Sequence, residues 1–351
     1  MSRVFMKGCE AMAEAAVRAG CRFFAGYPIT PQNEIPEYMS RRLPEVGGTF
    51  IQGESEVASV SMVYGAASAG MRSMTSSSSP GISLKSEGLS YLAGADLPAF
   101  VVNVQRGGPG LGGIQPSQSD YFQATRGGGH GDYHMIVLAP ASVQEMAEMT
   151  VRGFELADKY RMTTMLLADG TLGQMMEPVS FDFAVAPQVE KPWATTGTKM
   201  ERPHNIVNSL FLNPETLEKE NIKRYERYKV IEENETMYEE YMMDDAEVVI
   251  AAFGIAARVA KNAINEARKQ GIKAGLIRPI TLWPFPKAPF KAAAEKAKGI
   301  VCVELSMGQM IEDVKLATEC KVPVDLCFRV GGMIPDPEQV LAAIKKMNEE
   351  G

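Results

Sequence analysis

Histidines and paired cysteines are scarce in this sequence of 351 residues. The three histidines, His130, His134 and His204, are too few to suggest a histidine-rich metal site or a histidine-based catalytic triad. No two cysteines have C-x-x-C spacing, so no zinc site or cysteine-ligated iron–sulfur cluster is indicated. We expect the cysteines to be small buried residues of a protein in a reducing compartment. They are Cys9, Cys21, Cys302, Cys320 and Cys327.

Basic charge and long apolar segments are also lacking. The 36 Lys and Arg residues face 43 Asp and Glu residues, and the formal net charge of -7 argues against a nucleic-acid partner. The most apolar run, residues 248–257, is about half the length that a membrane span needs. The N-terminus lacks the apolar core of a signal peptide. We therefore expect a cytoplasmic protein without a membrane or nucleic-acid partner.

The first half of the chain alternates helical and strand patterns. Its strands are rich in Val, Ile and Met, which predicts an α/β fold with a doubly wound, mostly parallel sheet. Loops at the carboxyl ends of such strands commonly carry function. The predicted strands are 21–25, 49–52, 72–75, 99–104, 135–138 and 163–168.

The pattern changes near residue 183 and again near residue 246. Prolines and then a charged, tyrosine-containing segment predict a linker with an exposed helix. Its tyrosines either pack on the parent domain or face a partner. A second α/β alternation follows, and the chain length also suggests two domains. We therefore expect a first domain at 1–182, a linker with a charged helical segment at 183–245 and a smaller α/β domain at 246–351.

Two glutamates, Glu54 and Glu56, open an apolar segment that is predicted as a buried helix over 54–69. Acidic residues at such a position can simply complement the helix dipole. Gly65, nine residues after Glu56 and among small neighbours, would let another surface or a ring approach the helix. A carboxyl group in an apolar pocket gains proton affinity. Because of the spacing to Gly65, we favour Glu56 as the functional carboxylate, with Glu54 as second choice.

A second candidate cluster, Gly26-Tyr27-Pro28-Ile29-Thr30-Pro31, follows the first predicted strand. Pro28 and Pro31 stiffen this loop and fix the direction of the Thr30 hydroxyl. The alternative is an ordinary turn in which Thr30 is the helix N-cap and Pro31 the first helical residue.

A third cluster, residues 103–110, also follows a predicted strand. Arg106 has the planar fork that binds a carboxylate through two parallel bonds, although a surface arginine beside a flexible loop is the alternative. Gly108, Gly110 and Gly113 fit G-x-G-x-x-G literally. Pro109 interrupts that match and no clear apolar helix follows, which argues against a dinucleotide site.

The glycine-rich loop continues to residue 132. Its length exceeds ordinary connections and favours a functional loop, because glycines allow close backbone approach to a ligand or a neighbouring subunit. His130 in this loop is either a proton donor or a residue that orders the loop.

Taken in this order, the three clusters resemble the 2-oxoacid:ferredoxin oxidoreductases, a family of thiamine-diphosphate enzymes. The resemblance covers nearly the whole chain. It implies a pyrimidine-binding domain followed by a transketolase-C-terminal-like domain, which residues 276–286 resemble. It also implies that the glutamate hydrogen-bonds a ring nitrogen of the cofactor's pyrimidine. The implied catalytic residues are Glu56, Thr30 and Arg106, the cofactor neighbours are Glu56, Pro28, Ile29 and Glu54, and the substrate-loop residues are Gly107, Gly108 and His130.

The implied reaction is the CoA-dependent oxidative decarboxylation of a 2-oxoacid to acyl-CoA and CO₂, with reduction of ferredoxin. The glycine patterns around residues 107–113 and 127–131 are most similar to the alpha chain of branched-chain, 2-oxoisovalerate enzymes. Three alternatives remain. They are a 2-oxoglutarate-specific member, half of a non-oxidative transketolase-type or decarboxylase-type thiamine enzyme, and a scaffold paralogue without chemistry.

The family's Gly-Asp-Gly segment, which binds diphosphate and magnesium, is missing. The nearest string is Ala168-Asp169-Gly170. We therefore expect no metal site in this chain. The resemblance implies that a beta subunit carries the diphosphate, Mg²⁺ and an iron–sulfur cluster. A gamma subunit, with or without a ferredoxin-like delta subunit, would complete the complex, and the chain alone would be inactive.

Overall fold

A computed structural model describes residues 3–350 and contains two large sheets and one short strand pair. In chain order the strands are β1 (Val4–Lys7), β2 (Phe23–Gly26), β3 (Thr49–Gln52), β4 (Ser73–Ser77), β5 (Phe100–Gln105), β6 (Ile136–Leu138), β7 (Thr164–Asp169), β8 (Met176–Val179), β9 (Tyr238–Tyr241), β10 (Val248–Ala251), β11 (Ala274–Pro279), β12 (Thr281–Trp283), β13 (Gly299–Glu304) and β14 (Val324–Phe328).

Helices fill most of the connections between these strands. They are α1 (Gly8–Arg18), α2 (Glu34–Glu45), α3 (Glu56–Ser68), α4 (Ser79–Gly94), α5 (Tyr121–Thr125), α6 (Val143–Tyr160), α7 (Gly170–Gln174), α8 (Pro214–Asn234), α9 (Gly254–Lys269), α10 (Lys287–Ala294), α11 (Met310–Ala317) and α12 (Pro337–Glu350).

The larger sheet has seven strands in the order β12-β6-β7-β5-β4-β2-β3. All its neighbours are parallel except β12, which runs antiparallel to β6. Every residue of β4, β5 and β7 is buried, as expected for central strands covered by helices on both faces. This confirms the predicted doubly wound, mostly parallel α/β fold.

The second sheet has five strands in the order β14-β13-β10-β11-β9. Strands β10, β11, β13 and β14 are parallel, and β9 adds an antiparallel edge. Helices α9 and α12 pack together on it. Strand β12 leaves this part of the chain to join the larger sheet, so the two sheets are linked by a strand as well as by loops.

Helix α8 packs on the larger-sheet unit through three buried residues, Arg224, Tyr228 and Ile231. Tyr228 lies edge-on to Trp283 of β12, while Tyr225 is exposed. One tyrosine of the charged segment therefore packs inward and another faces outward.

Four of the five cysteines are buried, and all five are free thiols. Cys320 is exposed, so the expectation of burial is wrong for this residue. It lies in the turn after α11, where its backbone has a positive φ of 54°. Among residues 3–350, no helix is long and apolar enough to cross a membrane.

Candidate functional site

The loops that carry the predicted site residues meet at one edge of the larger sheet. Parallel strands β2, β4, β5 and β7 all end there, so the segments that follow them become neighbours. These segments bring together Thr30, Ser78, Arg106 and Asp169. We call this region the carboxyl edge, defined by residues 27–33, 77–81, 105–120 and 169–171.

Glu56 is the first residue of α3 and is only 6% exposed. Ser55 caps the helix, and its Oγ accepts a hydrogen bond from the Ala58 N–H at 3.1 Å. A Cβ at Gly81 of α4 would lie 2.7 Å from Glu56 Oε1 and 2.0 Å from Ser77 Oγ. The carboxylate therefore packs against α4 at the point where the absence of a side chain makes room for it.

Glu54 differs from Glu56 in its surroundings. It lies in the turn before α3, and its side chain is exposed. The structure thus brings Glu56, and not Glu54, into the interior at the carboxyl edge.

Gly65 does not have the role that its spacing suggested. It is exposed, and a Cβ there would meet nothing within 4 Å. It also lies nine residues from Glu56, roughly 13 Å along the helix axis. The close approach to the glutamate comes instead from Gly81 on a different helix, which a pattern within α3 could not reveal.

Thr30 lies in the loop after β2 and is half-buried. The alternative of Thr30 as helix N-cap is wrong, because α2 begins at Glu34 after Asn33. Thr30 Oγ1 accepts a hydrogen bond from the Asn33 side-chain amide at 3.4 Å. In the same loop Pro28 is exposed and Ile29 is half-buried.

Arg106 is buried, with 6% of its surface exposed, so it is not a surface arginine. Its Nη1 donates to the Thr30 carbonyl oxygen at 2.9 Å, and its Nη2 donates to the Leu111 carbonyl oxygen at 3.0 Å. Arg106 thus joins the loop after β2 to the glycine-rich loop after β5. Its Nε is buried without a hydrogen-bond partner among residues 3–350.

Several other buried polar atoms at this edge also lack partners in the described part of the chain. Buried polar groups in folded proteins are nearly always hydrogen-bonded, so such a concentration indicates a polar ligand. Sequence reasoning missed these residues, although the serine run that ends β4 is visible in the sequence. The atoms are Gln32 Nε2, Ser77 Oγ, Ser78 Oγ and Gln105 Nε2.

A cavity of about 870 Å³ opens between the larger-sheet unit and the loops of the five-stranded sheet, and Ser79, next to Ser78, is among its lining residues. Gly107, Gly108 and Asp120 line one side, and the other side is lined by Leu305, Ser306, Met307 and Gln309. Asp120 Oδ2 accepts hydrogen bonds from Ser79 Oγ at 2.6 Å and from the Asn103 side-chain amide at 2.9 Å. Burial raises the pKa of Asp120 above its ordinary value despite these bonds.

A second cavity of about 550 Å³ lies on the other side of the glycine-rich loop. Thr30, Pro31, Ile114 and Gly170 are among the residues that line it. The loop of residues 107–116 therefore contributes to both cavities.

Asp169 belongs to the string that is most similar to the family's diphosphate motif. Its carboxylate accepts hydrogen bonds from backbone N–H groups and does not face an open space. Its Oδ1 accepts the Leu172 N–H at 3.0 Å, and its Oδ2 accepts the Ile255 N–H at 2.9 Å. Burial raises its pKa to about 6, and the backbone hydrogen bonds oppose that shift. Across residues 3–350, no group of His, Cys, Asp and Glu residues could hold a metal ion.

His130 lies away from the other candidates. Its Nδ1 is 3.2 Å from Ser90 Oγ, near the end of α4, whereas Glu56 packs against Gly81 at the start of that helix. Nine residues separate Ser90 from Gly81, which is roughly 13 Å along the helix. The structure thus does not bring His130 together with Glu56, Thr30 and Arg106.

Comparison with known proteins shows to which family the chain belongs. Residues 14–250 match the family model described as pyruvate flavodoxin/ferredoxin oxidoreductase, thiamine diphosphate-binding, and residues 246–340 match pyruvate:ferredoxin oxidoreductase core domain II. The chain is 50% identical to ketoisovalerate oxidoreductase subunit VorB of Methanothermobacter marburgensis, over 100% of this chain and 99% of that protein. It is 36% identical to 2-oxoglutarate synthase subunit KorA of Methanothermobacter thermautotrophicus, over 98% of each chain.

A solved structure is also similar. The 2-oxoglutarate:ferredoxin oxidoreductase from Magnetococcus marinus, solved with 2-oxoglutarate, coenzyme A and succinyl-CoA bound, matches with a TM-score of 0.87 and 28% identity. The match covers 99% of this chain and 65% of that chain. Both family models and the relatives that span nearly the whole chain lead to one conclusion, that this chain belongs to the thiamine-diphosphate-dependent 2-oxoacid:ferredoxin oxidoreductases.

Proposed function

We propose that this chain holds the pyrimidine end of thiamine diphosphate and the oxoacid in a complex that oxidises 2-oxoisovalerate. The observation that carries the proposal is the buried Glu56 carboxylate against Gly81, at an edge where several buried polar atoms lack partners. Residues 1–182 would form the pyrimidine-binding domain, 183–245 the linker and 246–351 the transketolase-C-terminal-like domain, all in a cytoplasmic protein.

The residues at the carboxyl edge fit the pyrimidine end of this cofactor. An aminopyrimidine is a flat ring with nitrogen donors and acceptors, and Ser77, Ser78 and Gln105 have side-chain polar atoms that would otherwise stay unpaired. When bound, thiamine diphosphate supplies the carbon nucleophile and the electron sink for decarboxylation. Glu56 would share a proton with a ring nitrogen, and its burial keeps water from competing for that proton.

Thr30 and Arg106 would hold the carboxylate end of the oxoacid. The Thr30 hydroxyl accepts the Asn33 amide, which leaves its own proton free to donate. Two nitrogens of Arg106 already donate to backbone carbonyls, and its Nε–H lacks a partner that a carboxylate would provide. Gly107 and Gly108 would let the substrate approach the loop backbone, with Pro28 and Ile29 beside the cofactor.

A partner chain would cover the open side of the site. Exposed apolar side chains lie in the loops that border the two cavities, and exposed apolar surface of this kind marks interaction sites. We assign this surface to a beta subunit that supplies the diphosphate site, Mg²⁺ and an iron–sulfur cluster. A gamma subunit, with or without a delta subunit, would complete the path to ferredoxin, and CoA would accept the acyl group. The exposed residues include Leu111 (83%), Ile114 (56%), Met307 (70%), Val330 (43%) and Met333 (52%).

The identity of the oxoacid rests on the relatives. Identity to the ketoisovalerate oxidoreductase subunit is 50%, against 36% for the 2-oxoglutarate synthase subunit, and both span nearly the entire chain. A branched, uncharged side chain on the substrate therefore fits these relationships better than a second carboxylate.

The test is an assay of the native complex, purified through this chain. Thiamine diphosphate, Mg²⁺, CoA and one oxoacid at a time are added, and reduction of ferredoxin or a viologen dye is followed. We expect reduction with 2-oxoisovalerate to exceed reduction with 2-oxoglutarate by about tenfold or more, which corresponds to at least ~1.4 kcal/mol of discrimination. Faster reduction with 2-oxoglutarate would show that the complex prefers 2-oxoglutarate. No reduction with any oxoacid would contradict the proposed activity.

A further inference from the structure

Lys85 on α4 is a buried lysine immediately behind the candidate catalytic glutamate. Its relative exposure is 0%, and it is among the largest fully buried side chains of the described residues. Its Nζ donates to the Glu56 carbonyl oxygen at 3.4 Å. Lysines are almost never fully buried unless they are paired, because taking the charge out of water is costly. A lysine retained in this position therefore needs an explanation.

The packing of α3 on α4 fixes where Lys85 can act. Gly81, Lys85 and Gly88 have i, i+4, i+7 spacing and so share one face of α4. A Cβ at Gly81 would meet Glu56 Oε1 at 2.7 Å, and one at Gly88 would meet Val60 Cγ1 at 2.4 Å. The two helices thus approach closely on both sides of Lys85, and its side chain is confined next to the start of α3.

The charge environment of Lys85 points to the same glutamate. Across residues 3–350 the Lys85 ammonium forms no ion pair within 4.0 Å, and its hydrogen bond to Glu56 is to the main-chain carbonyl oxygen. The Glu56 carboxylate likewise forms no salt bridge in that part of the chain. Each of these two buried charged groups is therefore without an ion-pair partner among the described residues, and they are neighbours where α3 packs on α4.

We propose that Lys85 is a positioning residue for Glu56, which holds the main chain at the start of α3 and supplies the positive charge that balances the Glu56 carboxylate. This inference rests on the proposed function, in which Glu56 shares a proton with the cofactor. A buried charge without a counter-charge is strongly disfavoured, so a nearby ammonium would stabilise the Glu56 carboxylate in its position beside the cofactor.

The protonation state of Lys85 leads to a measurable pH dependence. Burial lowers the pKa of Lys85 to about 8, and the negative charge of Glu56 opposes that shift. The ammonium is therefore present at neutral pH and is lost as the pH rises through about 8. If the positive charge serves Glu56, turnover of the complex should fall over the same range.

The experiment compares Lys85→Met, Lys85→Arg and Glu56→Gln in the assembled complex. Lys223→Met is the control, because that lysine lies on α8 with a side chain that is 72% exposed. Thiamine-diphosphate affinity is measured by calorimetric titration of the cofactor-free complex, and kcat/KM is measured from pH 6 to 10. Lys85→Met keeps the length of the side chain and removes its charge, and Lys85→Arg keeps a charge that does not titrate in this range.

We expect Lys85→Met to bind thiamine diphosphate about tenfold more weakly, since it loses the charged hydrogen bond that holds the Glu56 main chain at the start of α3. Its kcat/KM should be low and should show no fall near pH 8. Lys85→Arg should retain cofactor binding and lose that alkaline fall, and Lys223→Met should match the wild type.

Wild-type affinity together with a wild-type alkaline fall in Lys85→Met would overturn the inference. If Lys85→Met fails to assemble, the test rests on Lys85→Arg. A decrease of kcat/KM near pH 8 in Lys85→Arg that matches the wild type would also contradict the inference. Glu56→Gln separates the two proposals. A loss of turnover in Glu56→Gln beside an unaffected Lys85→Met leaves the proposed function standing, whereas an unaffected Glu56→Gln removes the proposed function and the inference with it.

Discussion

The position of Glu56 depends on two residues that are distant in sequence, Gly81 and Ser77. The Glu56 carboxylate lies where α4 begins, and a Cβ at Gly81 would overlap both Ser77 Oγ and the carboxylate. The start of α4 follows directly from the serine run that ends β4. A strand, a turn and a helix start thus form one wall of the proposed pyrimidine site.

Gly81→Ala tests this wall directly. The added methyl group would lie 2.0 Å from Ser77 Oγ and 2.7 Å from Glu56 Oε1, so the glutamate or the helix start must shift. A misplacement of about 1 Å can cost on the order of 100-fold in rate. We expect a loss of this size in oxoacid-dependent ferredoxin reduction by the complex, together with weaker binding of thiamine diphosphate.

The matched control for that substitution is Gly65→Ala, an exposed helical glycine whose Cβ would meet nothing within 4 Å. Alanine favours helix by up to about 1 kcal/mol over glycine, so this variant should keep full activity and melt at the same or a higher temperature. Equal cofactor affinity in Gly81→Ala and Gly65→Ala would contradict the role given to Gly81.

At this scale the sequence predicted residue types better than contacts. The choice of Glu56 over Glu54 agrees with their burial, but the reason given for it, the spacing to Gly65, is not supported by the structure. Periodicity within one helix cannot reveal which residue of another helix packs against it. Lys85 and Gly81 became recognisable only when α3 and α4 were placed side by side.

Among the elements, the buried parallel strands were predictable because they are short apolar runs bounded by turn residues. Strands β9 and β12 were not predicted. Each has at most four residues, and each joins a sheet edge in antiparallel orientation. So short a segment has no periodicity of its own, and its pairing depends on tertiary contacts.

The start of α9 is tied to the larger-sheet unit by Asp169. Its carboxylate accepts one N–H from α7 and one from α9, and an asparagine would offer a single carbonyl oxygen for the two. We expect Asp169→Asn to destabilise the protein by about 1–3 kcal/mol, the cost of leaving one buried N–H unpaired. The measurement is the thermal midpoint of the complex, with the exposed Asp244→Asn as control.

We also predict that the destabilisation caused by Asp169→Asn depends on pH. The folded-state pKa of Asp169 is raised to about 6 by burial, whereas an unfolded aspartate titrates near ~3.9. A raised pKa stabilises the folded state at low pH, and this contribution is lost as the pH rises through about 6. The gap in thermal midpoint between wild type and Asp169→Asn should therefore be larger at pH 5 than at pH 7. A gap that is independent of pH would contradict the assignment.

In the whole molecule, the second unit supports the site of the first. The Gln118 N–H donates to the Leu305 carbonyl oxygen at 3.0 Å, and Gln309 Nε2 donates to the Ser119 carbonyl oxygen at 2.7 Å. Glu304 is fully buried and accepts backbone N–H groups at the start of α11. These bonds hold the loop that carries Asp120, so the five-stranded sheet positions one side of the larger cavity.

The family could be recognised from the sequence because each of the three motifs is a continuous stretch of residues and they occur in the family's order. Both family models confirm that the chain belongs to this family. It could not show that the second unit borders the cavity, because that depends on how two sheets are docked. It also could not show the exposed apolar side chains in the loops that border the two cavities, since exposure is a property of the folded chain.

The central claim is that Glu56 is the residue through which this chain activates the cofactor. The most direct measurement compares Glu56→Gln with Glu54→Gln in the assembled complex, by 2-oxoisovalerate-dependent ferredoxin reduction with saturating thiamine diphosphate. Glu54 is exposed and lies two residues away, so it reproduces the change in charge without the change in the site. We predict a loss of about 10²–10⁴-fold for Glu56→Gln, typical of removing a proton-transfer group, and near wild-type turnover for Glu54→Gln. Full turnover in Glu56→Gln, or an equal loss in both variants, would contradict the account.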